Sequence, residues 1–346
     1  MFDELGTITD LKALSDRALA RHIYVVIPTF NEGPFIQDTL FSLMTGPEAL
    51  AEVEFVVMDG GSTDQTKNHV QALCAIHPNL TLQDNPKKRQ AAAVNKAAAQ
   101  AEPTRDILVR CDAHAVYPPN FVLNVARRLI ETQADSLVVP MDAMARPEAT
   151  AFGKANAMVV DTPLGSGGAP HRGGTQSGFV DHGHHAGFWR DTFLSLGGYN
   201  ENMIANEDAE YDTRLRAQGG RIWLEADLRI GYYPRETVKA LWRQYFAYGR
   251  GRAEHIRRHR VPPRLRQCLP VIHTLFLLGS LCLLPLSIWG AAYPVFYGSV
   301  ISLFGAWLSY RHRKLSGLFS PIALAVMHTS WGMGFLQEFL FGRRDK

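Results

Sequence analysis

Apolar and polar positions alternate in blocks along the first 140 residues. Apolar runs of strand length are separated by amphipathic stretches of helical length. The predicted strands are the runs HIYVVIP, VEFVVMD, NLTLQD, DILVRCD and ADSLVVPM. Helices are predicted over residues 34–43, 62–75, 88–101 and 119–132. Strands and helices in strict rotation indicate an α/β fold with a mostly parallel sheet covered on both faces.

Beyond residue 145 this rotation is interrupted. A helix is predicted over residues 147–159, and residues 161–185 hold too much glycine for a helix or a central strand. We expect a long loop there that acts as a lid or an acceptor-binding flap. Residues 206–220 predict a helix that ends at two glycines, and the run RIWLEADLRIGYY predicts a hairpin.

The C-terminal part is strongly apolar. Residues 267–310 include no Asp, Glu, Lys or Arg, which leaves room for two transmembrane helices of about 20 residues each. Gly290 and Pro294 predict the break between them. Residues 315–337 form a third such run, but His328 and the Glu338 that follows leave two readings open. This run either spans the membrane or lies shallowly in it.

Basic residues crowd the approach to the first apolar helix, although the net charge is only +3. The positive-inside rule places this side, and the RHRK run after the second helix, in the cytoplasm. The first 22 residues contain no apolar signal segment, so the N-terminal domain is expected on the same side. The arginines are Arg250, Arg252, Arg257, Arg258, Arg260, Arg264 and Arg266.

These patterns divide the chain into four parts. We expect an N-terminal segment over residues 1–21, an α/β domain over 22–233, amphipathic basic helices at the membrane surface over 234–266, and a membrane segment with two or three transmembrane helices over 267–346. The four cysteines have no metal-site spacing, and in a reducing compartment we interpret them as packing residues.

Acidic side chains follow two of the predicted strands. Asp59 and Asp112 lie at carboxyl ends, where parallel sheets bind ligands. Asp112 and His114 are two residues apart, and in a strand they would share one face, which suits Mn²⁺ or Mg²⁺ bound to phosphate. The alternatives are that Asp112 caps the next helix, and that Asp59 belongs to an ordinary tight turn before Gly60.

Three further groups have both a structural and a functional interpretation. Glu207 and Asp208 begin a helix, where acids complement the macrodipole, but Asp208 could also be a general base. Arg250 and Arg252 could anchor the chain at the membrane or bind a diphosphate. The histidines of the glycine-rich segment favour substrate contact over zinc, because their spacing is irregular; they are His171, His182, His184 and His185.

Five motifs in order resemble those of the family 2 glycosyltransferases, and within them the ExoA-like type of succinoglycan and exopolysaccharide biosynthesis protein. They are VVIPTFNE, VVMDGGSTDQT, RCDAH, FWRDTFLSLGGYNE and NEDAEYDTRL. The resemblance covers residues 23–252 and implies a GT-A nucleotide-sugar-binding domain over residues 22–233.

The resemblance also implies roles for individual residues. Asp112 and His114 fall on the family's D-x-D metal motif, with His in place of the second acid, and Asp208 falls on the catalytic base. Arg250 and Arg252 match the family's glutamine and arginine motif only loosely. The implied nucleotide-sugar-binding residues are Pro28, Thr29, Asn31, Glu32, Asp59, Lys88, Asp112, Arg250 and Arg252, and the implied acceptor-binding residues are Trp189, Glu207 and His185.

The implied activity is that of an inverting, metal-dependent hexosyltransferase. It would move a sugar, with glucose expected, from a UDP-sugar to a polyprenyl-diphosphate-linked saccharide at the cytoplasmic face of a bacterial-type inner membrane. Its cofactor would be Mn²⁺ or Mg²⁺, and its other partners membrane lipids and further polysaccharide assembly proteins, with no nucleic acid. Two alternatives are a processive polysaccharide synthase and a non-catalytic membrane-tethered sugar-nucleotide binding or scaffold protein.

Overall fold

The computed structural model describes residues 11–168 and 175–342. These residues form two compact units. The first comprises the described residues up to 141, with 175–201 and 207–232. The second comprises residues 142–168, 202–206 and 233–342. His171 lies outside the described residues, together with part of the glycine-rich segment.

An eight-stranded sheet forms the centre of the first unit, in the order β3-β2-β1-β4-β9-β6-β10-β8. Strands β1 to β4 are parallel neighbours, as are β6 and β10, whereas β9 and β8 run antiparallel to theirs. The prediction of a mostly parallel α/β sheet is confirmed. The strands are β1 (Ile23–Thr29), β2 (Glu54–Asp59), β3 (Leu80–Asp84), β4 (Ile107–Arg110), β5 (Ala115–Val116), β6 (Ser136–Val139), β7 (Met141–Ala143), β8 (Gly178–Val180), β9 (His184–Trp189), β10 (Ile222–Leu224) and β11 (Ile230–Tyr232).

Helices cover both faces of the sheet. On one face, alanines of α4 pack with Phe193 of α8 and Tyr211 of α9 in a continuous core. On the other, Val125 of α5 faces Gly187 of β9. The helices of this unit are α1 (Asp16–Ala20), α2 (Ile36–Met44), α3 (Thr66–Cys74), α4 (Gln90–Gln100), α5 (Phe121–Thr132), α8 (Arg190–Ser195) and α9 (Glu207–Ala217), and those of the second unit are α6 (Ala151–Val159), α7 (Pro163–Ser166), α10 (Val238–His259), α11 (Leu265–Leu283), α12 (Ala292–His312) and α13 (Ser320–Phe341).

The prediction of one long loop over residues 161–185 is wrong. The described part of this segment includes α7 and β8, and it ends in the first residues of β9, a central strand between β4 and β6. Gly187 occurs in β9 because α5 packs so closely on the strand that no side chain fits there. A Cβ atom on Gly187 would lie 2.5 Å from Val125, so close packing explains the missing side chain.

The hairpin prediction for residues 221–233 is also wrong. Strand β10 pairs with β6 and β8, whereas β11 pairs with β5 in a separate small sheet. The two strands are divided by a 3-10 turn at Ala226–Leu228, which begins after Glu225. Side chains bind the Glu225 carboxylate from three directions: Ser177, Trp223 and Arg128. The buried Glu225 therefore lies between β10 and β11, which the sequence pattern predicts to pair as a hairpin.

We expect Gly187→Ala to destabilise the first unit by about 1–3 kcal/mol, because the added methyl group overpacks the contact with Val125. A fall in the thermal unfolding midpoint of the purified chain measures this effect. Gly178→Ala is the matched control, since a Cβ atom there meets nothing within 4 Å. An equal fall for both variants would contradict the packing explanation.

The second unit includes two helices that are long and apolar enough to cross a membrane, Leu265–Leu283 and Ile288–His312. The break falls close to the predicted position, because a 3-10 turn at Ile288–Ala291 precedes α12. The third apolar run forms α13, which packs against α10 at Gly334 and against α11 at Gly332. Glycines allow the helix backbones to approach one another closely.

Candidate active site

The carboxyl ends of β1 to β4 meet at one edge of the sheet. Thr29 is in register with Asp59, and Asp59 with Asp84. Strand β4 ends at Arg110, so Asp112 and His114 lie in the turn that follows it. Alternation within a strand therefore does not place these two side chains on one face, as the sequence argument assumed. The turn nevertheless brings His114 close enough to influence the charge on Asp112.

Asp59 shapes the turn after β2. Its side chain is fully buried and accepts hydrogen bonds from the backbone N–H groups of Gly61 (2.8 Å) and Ser62 (3.0 Å). Lys67 Nζ lies 3.3 Å away. Burial alone would raise the pKa of Asp59, but these donors hold the pKa below its ordinary value. The structure thus gives Asp59 the tight-turn role that the sequence left open.

The loop after β1 is braced against this turn. Asn31 has a left-handed backbone (φ 54°) and its N–H donates to Ser62 Oγ at 2.8 Å. The N–H of Glu32 donates to Thr66 Oγ1 at 2.8 Å. Lys88 also has positive φ (55°), and its side chain lies beside Gly61. Two loops that each adopt a strained backbone conformation are typical of a ligand-binding rim.

Asp112 is the centre of a charged cluster. Its Oδ1 accepts a hydrogen bond from Arg110 Nη2 at 2.8 Å, and its backbone N–H donates to Tyr117 Oη at 2.6 Å. Burial favours the neutral acid, yet the Arg110 guanidinium and two imidazoles outweigh it and hold the pKa of Asp112 well below its ordinary value. The imidazoles are those of His184 and His114. Asp112 is therefore ionised at neutral pH.

The chemistry of this cluster suits a divalent cation. His184 Nε2 lies 3.4 Å from Asp112 Oδ2, and two ligands bound to one ion at ~2.1 Å lie about 3.0–3.4 Å apart. His114 Nδ1 lies 3.0 Å from Glu32 Oε1. When Nδ1–H donates to this carboxylate, Nε2 keeps its lone pair and can bind a metal ion. Metal-binding histidines are commonly oriented by a carboxylate in this way.

Within the ranges 11–168 and 175–342, no three His, Cys, Asp or Glu side chains are gathered as a preformed metal site. An ion held here would therefore take its remaining ligands from water and phosphate oxygens, as Mg²⁺ commonly does.

Glu207 and Asp208 begin α9, close enough to Arg110 for their charges to raise its pKa. Burial and the adjacent Asp208 charge raise the pKa of Glu207. Burial acts on Asp208 in the same direction, but His182 and His185 outweigh it and hold the pKa of Asp208 well below its ordinary value. Asp208 is thus ionised, as a general base must be.

Arg110 connects the two acidic groups. Burial alone would lower its pKa, but the negative charges of Asp112, Glu207 and Asp208 raise the pKa above its ordinary value. A buried guanidinium that interacts with both Asp112 and Asp208 makes the two carboxylates parts of one electrostatic unit.

A buried hydrogen-bond network supports α9 one turn beyond Asp208. The two oxygens of Asp212 bind His182 Nδ1 and His185 Nε2, both at 2.8 Å. His185 Nδ1 lies 2.6 Å from Tyr199 Oη. A register shift between Leu137 and Val138 accompanies this part of β9, and bulges of this kind redirect side chains near active sites.

We expect Asp212→Ala to destabilise the first unit by about 2–5 kcal/mol, because it removes the acceptor of the buried His185 imidazole and of the half-buried His182 imidazole. Chemical unfolding of the purified chain measures the change. Glu131→Ala is the control, since the pair with Arg128 is exposed (46% and 44%) and contributes about 1 kcal/mol or less. Equal stabilities for the two variants would contradict the expected contribution of the Asp212 network to the free energy of unfolding.

Two predicted acceptor residues do not reach the rim. His185 is completely buried, with Tyr199 and Asp212 on its two ring nitrogens. Trp189 pairs with Ile107 at the amino end of β4, and its indole donates to Ala134 O at 3.0 Å. The position of Trp189 follows from the antiparallel direction of β9, which carries its later residues away from Asp112. His185 follows His184 directly, and the alternation of side chains in a strand turns it to the other face. His184, at the start of β9, is the residue that approaches Asp112.

Arg250 and Arg252 belong to α10 of the second unit. Arg250 Nη2 lies 3.0 Å from Glu338 Oε2 of α13, and Arg257 binds the other oxygen at 2.8 Å. In this conformation the Arg250 guanidinium stabilises the packing of α10 on α13.

Four residues of the cluster were missed as functional candidates in the sequence or given no specific role: Arg110, His184, Tyr199 and Asp212. Arg110 offered a signal, because an arginine inside the apolar run ILVRCD has to find a partner when buried. Asp212 lies four residues after Asp208, on the same helical face. Nothing local distinguishes Tyr199 or selects His184 among the neighbouring histidines.

Comparisons with known proteins identify the family and the fold. The model of the family described as glycosyl transferase family 2 matches residues 24–194. The succinoglycan biosynthesis protein ExoA of Rhizobium meliloti is 38% identical over 331 residues, which cover 95% of this chain and 98% of that protein.

Two more distant proteins are also similar. A Methanococcus voltae enzyme, named as a dolichyl N-acetyl-glucosaminyl phosphate diacetamido-dideoxy-glucuronosyltransferase, is 23% identical over 68% of this chain and 74% of its own. A mannosyltransferase structure from Pyrobaculum calidifontis, in complex with GDP-mannose and Mn²⁺, has a TM-score of 0.54 at 21% identity and covers 93% of this chain and 88% of that chain. This structural likeness shows the fold, which is GT-A. The chain therefore belongs to the family 2 glycosyltransferases, and within them to the ExoA-like type.

Proposed function

We propose that this glycosyltransferase moves a hexose, with glucose as the expected sugar, from a UDP-sugar to a hydroxyl group of a polyprenyl-diphosphate-linked saccharide, with inversion at the anomeric carbon. The product would be an intermediate of exopolysaccharide assembly. Two relatives support this proposal. One is named for succinoglycan biosynthesis, and the name of the other specifies a saccharide carried on dolichyl phosphate.

The observation that carries the proposal is the shared charge cluster at the sheet edge. Asp208 and Asp112 are both ionised, and the negative charges of both raise the pKa of Arg110. A transferase needs one group to hold the donor's phosphates and another to take a proton from the acceptor. The two carboxylates would supply these functions, and the charges of both act on a single guanidinium.

Asp208 is assigned as the general base. Its carboxylate accepts the proton of the acceptor hydroxyl as that oxygen bonds to the anomeric carbon, while the bond from that carbon to the β-phosphate oxygen breaks and UDP departs. One displacement of this kind inverts the anomeric configuration. His182 and His185 keep the base ionised, and Asp212 holds both imidazoles in place.

Asp112 and His114 would hold a divalent cation, Mn²⁺ or Mg²⁺, with His184 at a fitting distance. When bound, such an ion neutralises the negative charge that develops on the departing diphosphate. The residues of the chain prepare this site beforehand: Arg110 keeps Asp112 ionised, and Glu32 orients His114. Asn31, Glu32 and Lys88, on the braced loops, are proposed to contact the nucleotide.

The proposed location is the cytoplasmic face of a bacterial-type inner membrane. Two apolar helices of spanning length support association with a membrane. Basic residues flank the two helices: Arg264 and Arg266 lie at the start of α11, and Arg311 and Arg313 lie at the end of α12. If both helices cross the membrane, these two ends lie on the same side. The positive-inside rule assigns this side to the cytoplasm, where UDP-sugars are available.

Incubation of membranes that contain the chain with several UDP-sugars and a polyprenyl-diphosphate saccharide tests the proposal. We expect one labelled sugar per acceptor, with UDP-glucose preferred, and NMR of the product should show the anomeric configuration opposite to that of the donor. Many sugars per acceptor would indicate a processive synthase. Nucleotide binding without transfer to any acceptor would indicate the scaffold alternative.

A further inference from the structure

A basic pocket lies at the charged end of α12, wholly within the second unit. Its volume is about 580 Å³. Arg311, Arg313 and Lys314 line it together with Ser309 and Tyr310. None of the lining side chains, all of which belong to the described residues, is acidic. Neither the proposed sugar transfer nor the sheet-edge cluster uses this pocket.

The pocket is preformed by close packing. A Cβ atom on Gly317 would lie 2.5 Å from the backbone nitrogen of Ser309, so the 3-10 turn at Leu315–Phe319 is pressed directly against the end of α12. The backbone N–H of Lys314 donates to Ser309 O at 3.1 Å, and Ser309 Oγ donates to Lys314 O at 2.9 Å. The cations therefore extend from a fixed turn.

Arg313 occupies a position that favours glycine. It is the C-terminal cap of α12 and has a left-handed backbone, with φ 52°. A residue with a Cβ atom in this conformation costs about 1 kcal/mol or more relative to glycine. An arginine there keeps its positive side chain beside the pocket at some cost in backbone energy.

The residues around the pocket place it at the interface between membrane and water. It lies at the end of an apolar helix of spanning length. Trp307 and Tyr310, 45% and 85% exposed, lie in the last turns of that helix, as aromatic residues do at the membrane interface. Leu315 and Leu318 line the pocket, and with 80% and 55% exposure they present an apolar rim.

We propose that this pocket binds the phosphate headgroup of an anionic glycerophospholipid. The three cations bind the phosphate, and the acyl chains cover the apolar rim. Basic pockets beside transmembrane helices recognise anionic lipids in this way. A soluble phosphate would satisfy the cations but would leave Leu315 and Leu318 exposed, so the lipid is the better match. The proposal depends on membrane association, and it does not depend on the donor, the acceptor or the metal.

Equilibrium binding of three probes to the full chain in a neutral detergent tests this. The probes are dioctanoyl-phosphatidylglycerol, dioctanoyl-phosphatidylcholine and inorganic phosphate. We expect the first to bind at least ten-fold more tightly than the other two. In the double variant R313Q/K314Q its affinity should fall by about 25-fold, because each cation at a lipid surface contributes about five-fold.

Arg260→Gln is the matched control. Arg260 is also the left-handed C-terminal cap of a helix, with φ 52°, but it does not line the pocket. We expect it to leave phosphatidylglycerol binding unchanged. Equal binding of phosphatidylcholine, equal binding of inorganic phosphate, no loss in R313Q/K314Q, or an equal loss in Arg260→Gln would each overturn the proposal.

The wild-type preference among the three probes stands even if the double variant does not fold. Sugar transfer from UDP-sugars is measured separately, so failure of the lipid site is distinguishable from failure of the proposed function.

Discussion

Replacement of Asp208 by asparagine is expected to lower kcat for sugar transfer by about 10²- to 10⁴-fold. Asparagine keeps the size and hydrogen-bonding shape of the side chain but cannot accept the proton of the acceptor hydroxyl. The dissociation constant for UDP should stay close to that of the wild type, because the proposed nucleotide contacts lie on the loops after β1 and β3. Steady-state kinetics and calorimetric titration with UDP measure the two quantities.

Asp191→Asn is the matched control for this variant. Asp191 is also an acid in the first turn of a helix, α8, and its side chain is 84% exposed. Both substitutions remove a charge that complements a helix macrodipole. If Asp208→Asn retained nearly full turnover, or if the control lost as much, the macrodipole interpretation of Asp208 would be correct and the base would have to be another group.

Replacement of His114 by alanine is expected to raise the Mn²⁺ concentration for half-maximal activity by about 10- to 100-fold. The change removes a proposed ligand but leaves Asp112, which Arg110 still holds in its ionised form. Saturating metal should therefore restore part of the turnover. The measurement is a titration of activity against free Mn²⁺ in chelator-buffered solution.

His22→Ala is the control for His114. The His22 ring also contacts a carboxylate, with 2.6 Å between Nδ1 and Asp106 Oδ2, but the pair lies at the amino end of β1 and β4. We expect this variant to show the wild-type dependence on Mn²⁺. An unchanged half-saturating concentration in His114→Ala would exclude His114 as a ligand.

Strands β1, β2 and β4 were predictable because buried parallel strands are continuous apolar runs. Their order along the chain also placed Asp59 and Asp112 at one edge, and the register of Thr29 with Asp59 confirms that arrangement for β1 and β2. In these cases a local pattern determines the position of the side chain.

The remaining features depend on contacts between distant segments. Strand β9 begins with two histidines and contains Gly187, so neither alternation nor apolar content indicates a central strand. The helix that covers it, α5, is 50 to 70 residues away in the sequence, and only its Val125 explains the glycine. Because the pattern does not predict β9, it gives no direction for that strand, and it cannot show that His184 approaches Asp112 whereas Trp189 lies at the other end.

The interactions among buried charged residues are hidden in the sequence for the same reason. Arg110 lies within an apolar run, and its acidic neighbours Glu207 and Asp208 lie about 100 residues later in the chain. Asp212 and its two imidazoles are 27 and 30 residues apart. Such pairs form only when the sheet is complete, so spacing along the chain cannot reveal them.

The central claim is that an ionised Asp208 and a cation held at Asp112 act together in one sugar transfer. Its most direct test is the initial rate at which membranes containing the chain move label from UDP-glucose into the lipid fraction, before and after EDTA. We expect label to enter the lipid with Mn²⁺, to fall with EDTA to the level of Asp208→Asn, and to recover when Mn²⁺ is restored. Undiminished labelling in chelated buffer would contradict the claim.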